Sequence, residues 1–270
     1  MRVDAPELED LARDLHSSAL EDVSSCTGTT SADLVWQGAP KGGWQIFLKG
    51  QAWESKADSP DFLYLQSDSL LDDLIREHLG DLPLLHAGAI ADQDGRAVVI
   101  CGPSGSGKTS LILSCMRKGW DWLSDEMLCF RQPDSLITEG FPRNFNLKQR
   151  SFGEFPETSG LARNREFQVK DGRRQIRFID PNTLPGARFA RAGSVCAFIL
   201  PTYSSTAEIP EIAPLSGSAL VQHLAPEMRS SQLPTFAWLA EIGRTVPAYT
   251  LRYCSPRSAA ECLTDLMNRE

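Results

Sequence analysis

The chain has 270 residues, of which 41% are hydrophobic and 23% are charged. This composition is ordinary for a globular protein with one large domain or two modest ones. Its formal net charge of −8 argues against a surface built throughout for nucleic acid or for a membrane. The acidic N-terminus is not a secretion signal, no stretch approaches the ~20 apolar residues that span a bilayer, and the scattered cysteines lack a zinc-binding spacing. We therefore expect a cytoplasmic protein.

The charge is spread unevenly along the chain. Residues 1–85 carry 16 acidic and 6 basic side chains, whereas residues 143–191 carry 11 basic and 5 acidic ones. A basic middle segment in an acidic protein is typical of a local anion site, and it is equally typical of a solvated surface of mixed charge. Composition leaves these two alternatives open.

The first 79 residues predict a small α+β part in front of a larger domain that covers residues 80–270. Apolar residues at helical spacing indicate two helices, and alternating segments indicate a small antiparallel sheet. The predicted helices cover 4–22 and 68–79, and the predicted strands are Asp33–Gln37, Trp44–Leu48 and Phe62–Gln66.

A β-hairpin is predicted next, with strands Leu84–Ile90 and Arg96–Cys101 and a turn at Ala91–Gly95. If the turn is centred on Gln93, His86 lies opposite Ile100. This register places His86 beside the end of the second strand, where a histidine can contact a phosphate oxygen or orient a carboxylate. A histidine satisfied inside a sheet is the alternative.

The strongest motif follows this strand and precedes a helix predicted over residues 107–118. The pattern Gly-x-x-x-x-Gly-Lys-Ser/Thr, between a strand and a helix, is typical of a phosphate-binding loop. Its glycines let backbone amides turn toward phosphate oxygens, and the helix N-terminus adds positive potential. The lysine reaches the terminal phosphates, and the threonine hydroxyl binds Mg²⁺. The predicted nucleotide-binding residues are Gly102, Pro103, Ser104, Gly105, Ser106, Gly107, Lys108, Thr109 and Ser110.

Two acids in series, Asp125 and Glu126, end a short apolar segment one helix after the loop. This is where phosphate-loop enzymes carry acids that hold the metal ion or accept a proton from an attacking hydroxyl. Consecutive strand residues point to opposite faces, so we expect one of the two to face the site more directly. Together with Thr109 they are the predicted Mg²⁺ ligands.

Downstream cations are candidates for neutralising phosphate charge. They lie in the segment Phe141–Arg150, which we predict to be a loop, and after a turn at Asp171-Gly172. The candidates are Arg143, Lys148, Arg173, Arg174 and Arg177. Beyond them the pattern predicts strands over residues 192–201 and 248–253 and helices over 216–225 and 257–269.

Taken together, four features resemble the HPr kinase/phosphorylase superfamily, in particular its catalytic domain and the shorter HPr kinase-like serine kinases. They are His86-Ala87, the phosphate-loop motif, the stretch Gly119–Asp125, and the segment Phe-Pro-Arg-Asn-Phe-Asn-Leu-Lys over residues 141–148. The resemblance is close over residues 80–150 and loose over 192–270. The chain lacks the Glu-Val-Arg-Gly-type signature and the N-terminal regulatory domain of the bacterial regulatory enzymes.

The resemblance implies an α/β phosphate-loop kinase domain related to phosphoenolpyruvate carboxykinase, with ATP and Mg²⁺ as cofactors and a serine hydroxyl as acceptor. It implies that Asp125 takes the proton from that serine, with Glu126 as a second acid and His86 near the phosphates. The shorter class includes kinases that act on the C-terminal serine of lasso-peptide precursors. A peptide or protein partner is therefore expected, and a homo-oligomer is left open.

Two other functions remain open from the sequence. One is a small-molecule kinase that acts on free serine or another metabolite. The other is a phosphate-loop ATPase, or a nucleotide-gated binding module, that transfers no phosphoryl group to a partner. The basic segment over residues 143–191 slightly favours a larger or anionic substrate, and the two acids argue against a scaffold without chemistry.

Overall fold

A computed structural model of the chain describes residues 2–4, 34–38, 43–48, 51–57, 59–79, 82–131, 136–161, 165–168, 175–230 and 234–269. Within these residues the protein is a mixed α/β structure with three sheets. The predicted helix over residues 4–22 lies outside the described part of the chain, except for Asp4, which ends a strand. No helix in the described part is long and apolar enough to cross a bilayer.

Strands outnumber helices in the described part of the chain. The strands are β1 (Arg2–Asp4), β2 (Leu34–Gly38), β3 (Trp44–Leu48), β4 (Gln51–Ala57), β5 (Leu84–Leu85), β6 (Ala87–Ala91), β7 (Arg96–Cys101), β8 (Asp121–Ser124), β9 (Leu128–Phe130), β10 (Ile137–Glu139), β11 (Phe145–Lys148), β12 (Arg165–Gln168), β13 (Gln175–Ile179), β14 (Ala192–Tyr203), β15 (Glu211–Leu215) and β16 (Ala248–Tyr253). The helices are α1 (Pro60–His78), α2 (Lys108–Met116), α3 (Gly217–Leu224), α4 (Pro234–Thr245) and α5 (Pro256–Met267), with 3-10 turns at Gln149–Glu154, Pro156–Thr158, Pro181–Thr183 and Ala225–Glu227.

The largest sheet has nine strands within the described residues, in the order β5-β9-β10-β14-β7-β6-β8, with β16 beside β14 and β15 beside β16. Strand β14 is parallel to both β7 and β16. Strand β8 also runs in the direction of β7, because both are antiparallel to β6. The carboxyl ends of β7, β8, β14 and β16 therefore meet at one edge, which is where open α/β sheets bind ligands.

Helices cover this sheet on both faces. Side chains of β7 alternate between the two layers, so Val98 and Ile100 pack in the layer with α2 and α5, while Val99 packs in the layer with α3 and α4. Because both faces are buried, β7 is apolar along almost its whole length. This packing fixes the strand that leads into the candidate site.

The N-terminal segments form a separate four-stranded sheet, β1-β2-β3-β4, against which α1 packs. Its apolar cluster includes Trp36 and Tyr64 together with Phe167 and Phe178 from β12 and β13. The Tyr64 ring stacks on Phe167 with 5.5 Å between centroids and meets the edge of Phe178 at 4.4 Å. One apolar core thus crosses the predicted boundary between residues 79 and 80.

Several predicted elements are confirmed with small shifts at their ends, namely the strands at β2, β3, β7, β14 and β16 and the helices at α2, α3 and α5. Two others are wrong. Phe62–Gln66 lies in α1, because the Ser59 hydroxyl accepts the Phe62 amide at 3.2 Å and Pro60 starts the helix, and the third strand of the small sheet is β4. Phe141–Arg150 contains β11, which pairs with β13.

The hairpin has a different register from the one predicted. Gly88 lies opposite Ile100, and Ile90 lies opposite Val98. The shift arises at Asp92, whose Oδ1 accepts the amides of Asp94 at 3.0 Å and of Arg96 at 2.9 Å and so moves the turn along the chain. His86 consequently precedes β6 and does not pair with Ile100.

Candidate active site

The glycine-rich loop joins the end of β7 to the start of α2, as predicted from the motif. Gly105 and Gly107 have φ angles of 91° and 106°, in the left-handed region that favours glycine. The Ser106 amide donates to the carbonyl of Pro103 at 3.1 Å, so the loop is curled. The first amides of α2 have no partner within the helix, so they are available to a ligand bound at the loop.

Gly107 has a second reason to be glycine. The hydroxyl of Tyr253, at the end of β16, donates to the Gly107 carbonyl at 3.0 Å. A Cβ atom at position 107 would overlap this hydroxyl and lie 3.0 Å from the tyrosine Cζ. The loop and β16 therefore approach each other as closely as their backbones allow.

Replacing Gly107 with alanine is expected to damage the loop specifically. The added Cβ combines a left-handed backbone strain of about 1 kcal/mol with a steric overlap at Tyr253, so the loop must open. We expect Gly107→Ala to weaken ATP binding at least about tenfold, measured by calorimetric titration. Gly95→Ala is the matched control, because Gly95 has a φ of 77° but open space around the added atom. Equal ATP affinity in the two variants would contradict the assigned role of this loop.

Lys108 and Thr109 are the first two residues of α2, the helix that follows the loop. The Lys108 side chain is buried, and its Nζ donates to the Gly102 carbonyl at 2.6 Å. The Thr109 hydroxyl donates to Asp125 Oδ2 at 2.9 Å, which leaves the lone pairs of the threonine oxygen free to bind a cation. The Ser110 hydroxyl donates to the Ser151 hydroxyl at 3.0 Å.

Asp125 follows β8 and is buried beneath the loop. Its Oδ2 accepts the Thr109 hydroxyl and, at 3.4 Å, the Asn146 amide. Its Oδ1 is equally buried and has no hydrogen-bond partner among the described residues. Burial, with the neighbouring charge of Glu126, raises the pKa of Asp125 to about 7, although Thr109 and Lys108 act in the opposite direction.

Glu126 belongs to a chain of charged groups that ends at Glu227, in the 3-10 turn after α3. His86 Nε2 lies 2.9 Å from Glu126 Oε2, and His86 Nδ1 lies 2.7 Å from Glu227 Oε2. Both ring nitrogens can donate to these carboxylates only when the imidazole is doubly protonated. Beyond the end of this chain, Arg229 Nη2 lies 3.6 Å from Glu227 Oε2.

The charges in this chain stabilise one another. The hydrogen bond to Glu126 raises the pKa of His86, against the effect of its burial. Burial acts to raise the pKa of Glu126, but the hydrogen bond and charge of His86, together with Arg143, lower it overall. His86 therefore holds Glu126 in its ionised form at the edge of the cleft.

These shifts predict how stability changes with pH in the protein without metal. The folded protein keeps a proton on Asp125 up to about pH 7, whereas the unfolded chain releases it near 3.8. The free energy of unfolding must therefore fall as the pH rises through this window, by up to about 1.4 kcal/mol per pH unit for this proton. His86 acts in the same direction. Its pKa is raised in the folded protein, so the stability that its proton provides is lost as the pH rises through the pKa of His86 in the folded state.

Urea unfolding in EDTA at about pH 5 and about pH 7.5 measures this dependence. Asp125→Asn is expected to remove much of the slope, since asparagine resembles the protonated acid. Asp94→Asn changes an exposed carboxylate in the hairpin turn and should keep the wild-type slope. A wild-type stability that rises over this range would show that Asp125 is ionised in the folded protein throughout.

The predicted cations have different positions. Arg143 is buried and forms ion pairs with Asp68 and Asp72 of α1. Arg177 is buried as well, where it donates to Glu166 at 2.5 Å and to Thr158 at 2.7 Å. Both are therefore neutralised within the fold, while Arg173 and Arg174 lie outside the described residues.

Lys148 and Arg150 are the cations that the structure places at the loop. Lys148 Nζ donates to the Ser104 hydroxyl at 2.6 Å, and Arg150 donates to the Gly105 carbonyl. Together with His86, Glu126 and Lys108 they line an open cleft of about 470 Å³ above the loop. The cleft thus combines the Glu126 carboxylate with several cationic side chains.

The residues of this cleft fit a nucleoside triphosphate with Mg²⁺. The curled loop offers backbone amides and Lys108 to phosphate oxygens. The free lone pairs of the Thr109 oxygen suit a hard cation, and the unpartnered Asp125 Oδ1 can accept a hydrogen bond from a water ligand of that cation or from an acceptor hydroxyl. No group of three or more His, Cys, Asp or Glu side chains forms a metal cage in the described part of the chain. The fit is therefore to a cation that phosphate oxygens also bind.

No known family profile matches the sequence, and no curated protein matches it either. A search of solved structures finds similarity to the HPr(Ser) kinase/phosphatase from Coxiella burnetii, with 14% sequence identity. The match covers 69% of this chain and 88% of that one, with a TM-score of 0.37. A similarity of this size leaves the function to be argued from the geometry of the site.

Some residues of the site were not predicted from the sequence. Glu227 and Arg229 contact His86 across more than 140 positions of sequence, in a segment whose pattern carries no motif. Arg150 ended a segment predicted to be a loop, and Asn146 was not singled out. The alternation of Phe145 and Leu147, both buried in β11, was the signal that could have placed Asn146 and Lys148 on the cleft side.

Proposed function

We propose that this protein is an ATP-dependent kinase that phosphorylates a serine hydroxyl of a peptide or protein. The observation that carries the proposal is the grouping of the curled loop, Lys108, and the Thr109–Asp125 pair at one sheet edge. An ATPase or a small-molecule kinase could use the same grouping, so the acceptor must be tested directly.

The loop and the start of α2 hold the phosphates in this proposal. The amides of residues 105–110 and the Lys108 ammonium group contact the phosphate oxygens. Thr109 binds Mg²⁺ through its oxygen, oriented by the hydrogen bond to Asp125. When bound, ATP supplies the phosphoryl group, and Mg²⁺ neutralises charge on it.

Asp125 is the proposed proton acceptor for the serine hydroxyl. One of its oxygens accepts the Thr109 hydroxyl. The other is buried and has no hydrogen-bond partner among the described residues, and it would accept from the hydroxyl of a serine that enters between the loop and β8. Glu126 reaches the cleft from the adjacent position and is fixed there by His86. We assign Glu126 to the water shell of the metal ion and His86 to positioning Glu126.

Lys148, one of the cations predicted from the sequence, and Arg150 take the charge-neutralising role that the sequence also suggested for Arg143, Arg173, Arg174 and Arg177. The Lys148 and Arg150 side chains donate hydrogen bonds to the loop, whereas Arg143 contacts carboxylates of α1. Their cationic groups also suit the C-terminal carboxylate of a precursor peptide whose last residue is the acceptor serine.

Room for a peptide lies directly beside the loop. A cleft of about 450 Å³ extends from Ser104 and Gly105 past Lys148 and Arg150 to Gln175 on β13. A free amino acid would fill a small part of it, which favours a longer acceptor.

We place the reaction in the cytoplasm, because it consumes ATP and because the cysteines of the described residues are free thiols.

Mass spectrometry of candidate acceptors, incubated with the protein, ATP and Mg²⁺, tests the proposal. Precursor peptides that end in serine are the first candidates, each paired with a copy in which that serine is alanine. The expected result is a gain of one phosphate in the serine peptide and none in the alanine peptide. ATP consumed without any phosphorylated product would identify an ATPase, and phosphorylation of free serine alone would identify a small-molecule kinase.

A further inference from the structure

Two tyrosines end the parallel strands that flank the loop. Tyr203 is the last residue of β14, and Tyr253 is the last residue of β16. The Tyr203 amide donates to the Ser106 carbonyl at 3.2 Å, and the Tyr253 hydroxyl donates to the Gly107 carbonyl at 3.0 Å. Both residues thus contact the phosphate loop, Tyr203 through its backbone amide and Tyr253 through its hydroxyl, on the side of β7 opposite to β6 and β8.

A second cleft, of about 90 Å³, opens at these tyrosines. Its walls include Gly107 and Ser110 of the loop and helix, together with Arg150, Tyr203 and Tyr253. Gly107, Ser110 and Arg150 also line the acid-containing cleft. The start of α2 therefore lies between the two clefts. Glu126 lines one of them, and the two tyrosines, together with Glu154, line the other.

This arrangement sets the direction of a bound nucleotide. In the proposed function the terminal phosphate lies in the cleft lined by Thr109 and Glu126, because the acceptor and Asp125, which Thr109 contacts, meet it there. The phosphate chain then follows the amides of α2 toward Ser110. The nucleoside at its other end consequently enters the aromatic cleft.

Tyr203 has the surface that a nucleobase needs. The Tyr203 side chain is 48% exposed. Its ring meets the Tyr253 ring edge-on, with 6.2 Å between the ring centroids. The Arg150 guanidinium lies over the same ring, 6.0 Å from its centroid. Nucleobases stack both on aromatic rings and on guanidinium planes.

We propose that Tyr203 is the stacking platform for the base of the nucleotide that the loop binds. The inference rests on the proposed function, since it requires a nucleoside triphosphate at the loop. Stacking on a ring face is tolerant of base identity because every base has a π-face. The site therefore accepts ATP and GTP with similar affinity, and it gains binding energy from the base that an inorganic chain of phosphates lacks.

Equilibrium dialysis with radiolabelled ATP and with radiolabelled tripolyphosphate, each with Mg²⁺, tests this inference. Tyr203→Ala is expected to weaken ATP binding about tenfold and to leave tripolyphosphate binding unchanged. Tyr203→Phe keeps the ring and should bind ATP like the wild type. Phe236→Ala removes an aromatic side chain that is 72% exposed on α4, and it should change neither ligand.

The outcomes separate this inference from the proposed function. Unchanged ATP binding in Tyr203→Ala overturns the platform, and so does an equal loss of ATP and tripolyphosphate, because Tyr203 would then act only through the loop. If the wild type binds neither ligand, the proposed function itself fails. Selective loss of ATP binding, restored in Tyr203→Phe, establishes the platform.

Discussion

Lys108→Ala lowers the rate of phosphotransfer at least about a thousandfold and leaves the fold intact. Lys108 is the cation that the loop itself contributes, and its buried stem places Nζ 2.6 Å from the Gly102 carbonyl, inside the curl. Within a site of low dielectric, one fixed positive charge stabilises the charge that develops on the transferring phosphoryl group more than it does in water. Alanine removes this charge without introducing a clash.

Phosphotransfer rates and thermal unfolding of purified variants measure this effect. Lys118→Ala is the matched control, because Lys118 follows the same helix but contacts only Glu261 on the surface, at 2.7 Å. We expect its transfer rate to equal that of the wild type. A Lys108→Ala protein that unfolds normally and transfers at the wild-type rate would remove Lys108 from the site.

Asp125→Asn keeps nucleotide binding within a few-fold and lowers transfer about a hundredfold to ten-thousandfold. Asparagine can still accept the Thr109 hydroxyl, so the metal-binding oxygen of Thr109 keeps its orientation. It cannot take a proton from the acceptor serine. The expected change is therefore in the rate of transfer at saturating ATP, not in the affinity for ATP.

Glu126→Gln provides the comparison for Asp125→Asn. Glutamine at position 126 still reaches His86 but carries no charge, so metal and nucleotide affinity should fall more than transfer at saturation. Transfer that persists in Asp125→Asn and disappears in Glu126→Gln would move the proton acceptor to Glu126. Loss of both binding and transfer in Asp125→Asn would assign Asp125 to the metal ion.

The parts of the site that lie close together in sequence could be predicted. The loop, the strand before it and the helix after it share one local pattern, and Asp125 follows the next strand along the chain. These assignments need no knowledge of distant contacts, because a buried parallel strand and a glycine-rich turn can each be predicted from a short run of consecutive residues.

The failures have specific physical causes. Phe62–Gln66 is apolar enough for a strand or a helix, and the N-cap at Ser59 followed by Pro60 favours a helix. A side chain, Asp92, displaced the hairpin register and with it the expected position of His86. Arg143 was predicted to contact phosphate, but Asp68 and Asp72 of α1 neutralise it. Only the tertiary fold brings these groups together.

Longer-range groupings were not predictable from the pattern. Glu227 lies in a 3-10 turn after α3, and the sheet order brings it to His86. The helix α4 was missed altogether, although its Trp238 packs on Phe130 with 4.5 Å between centroids. Both depend on which strands neighbour each other, which a single sequence does not specify.

The central claim is that the loop after Cys101 binds a nucleoside triphosphate together with Mg²⁺. Calorimetric titration of the wild-type protein with ATP in the presence of Mg²⁺ tests it most directly. The predicted result is saturable heat with one nucleotide bound per chain, and its loss in Lys108→Ala. The absence of binding heat with both ATP and GTP over a range of temperatures would contradict the claim.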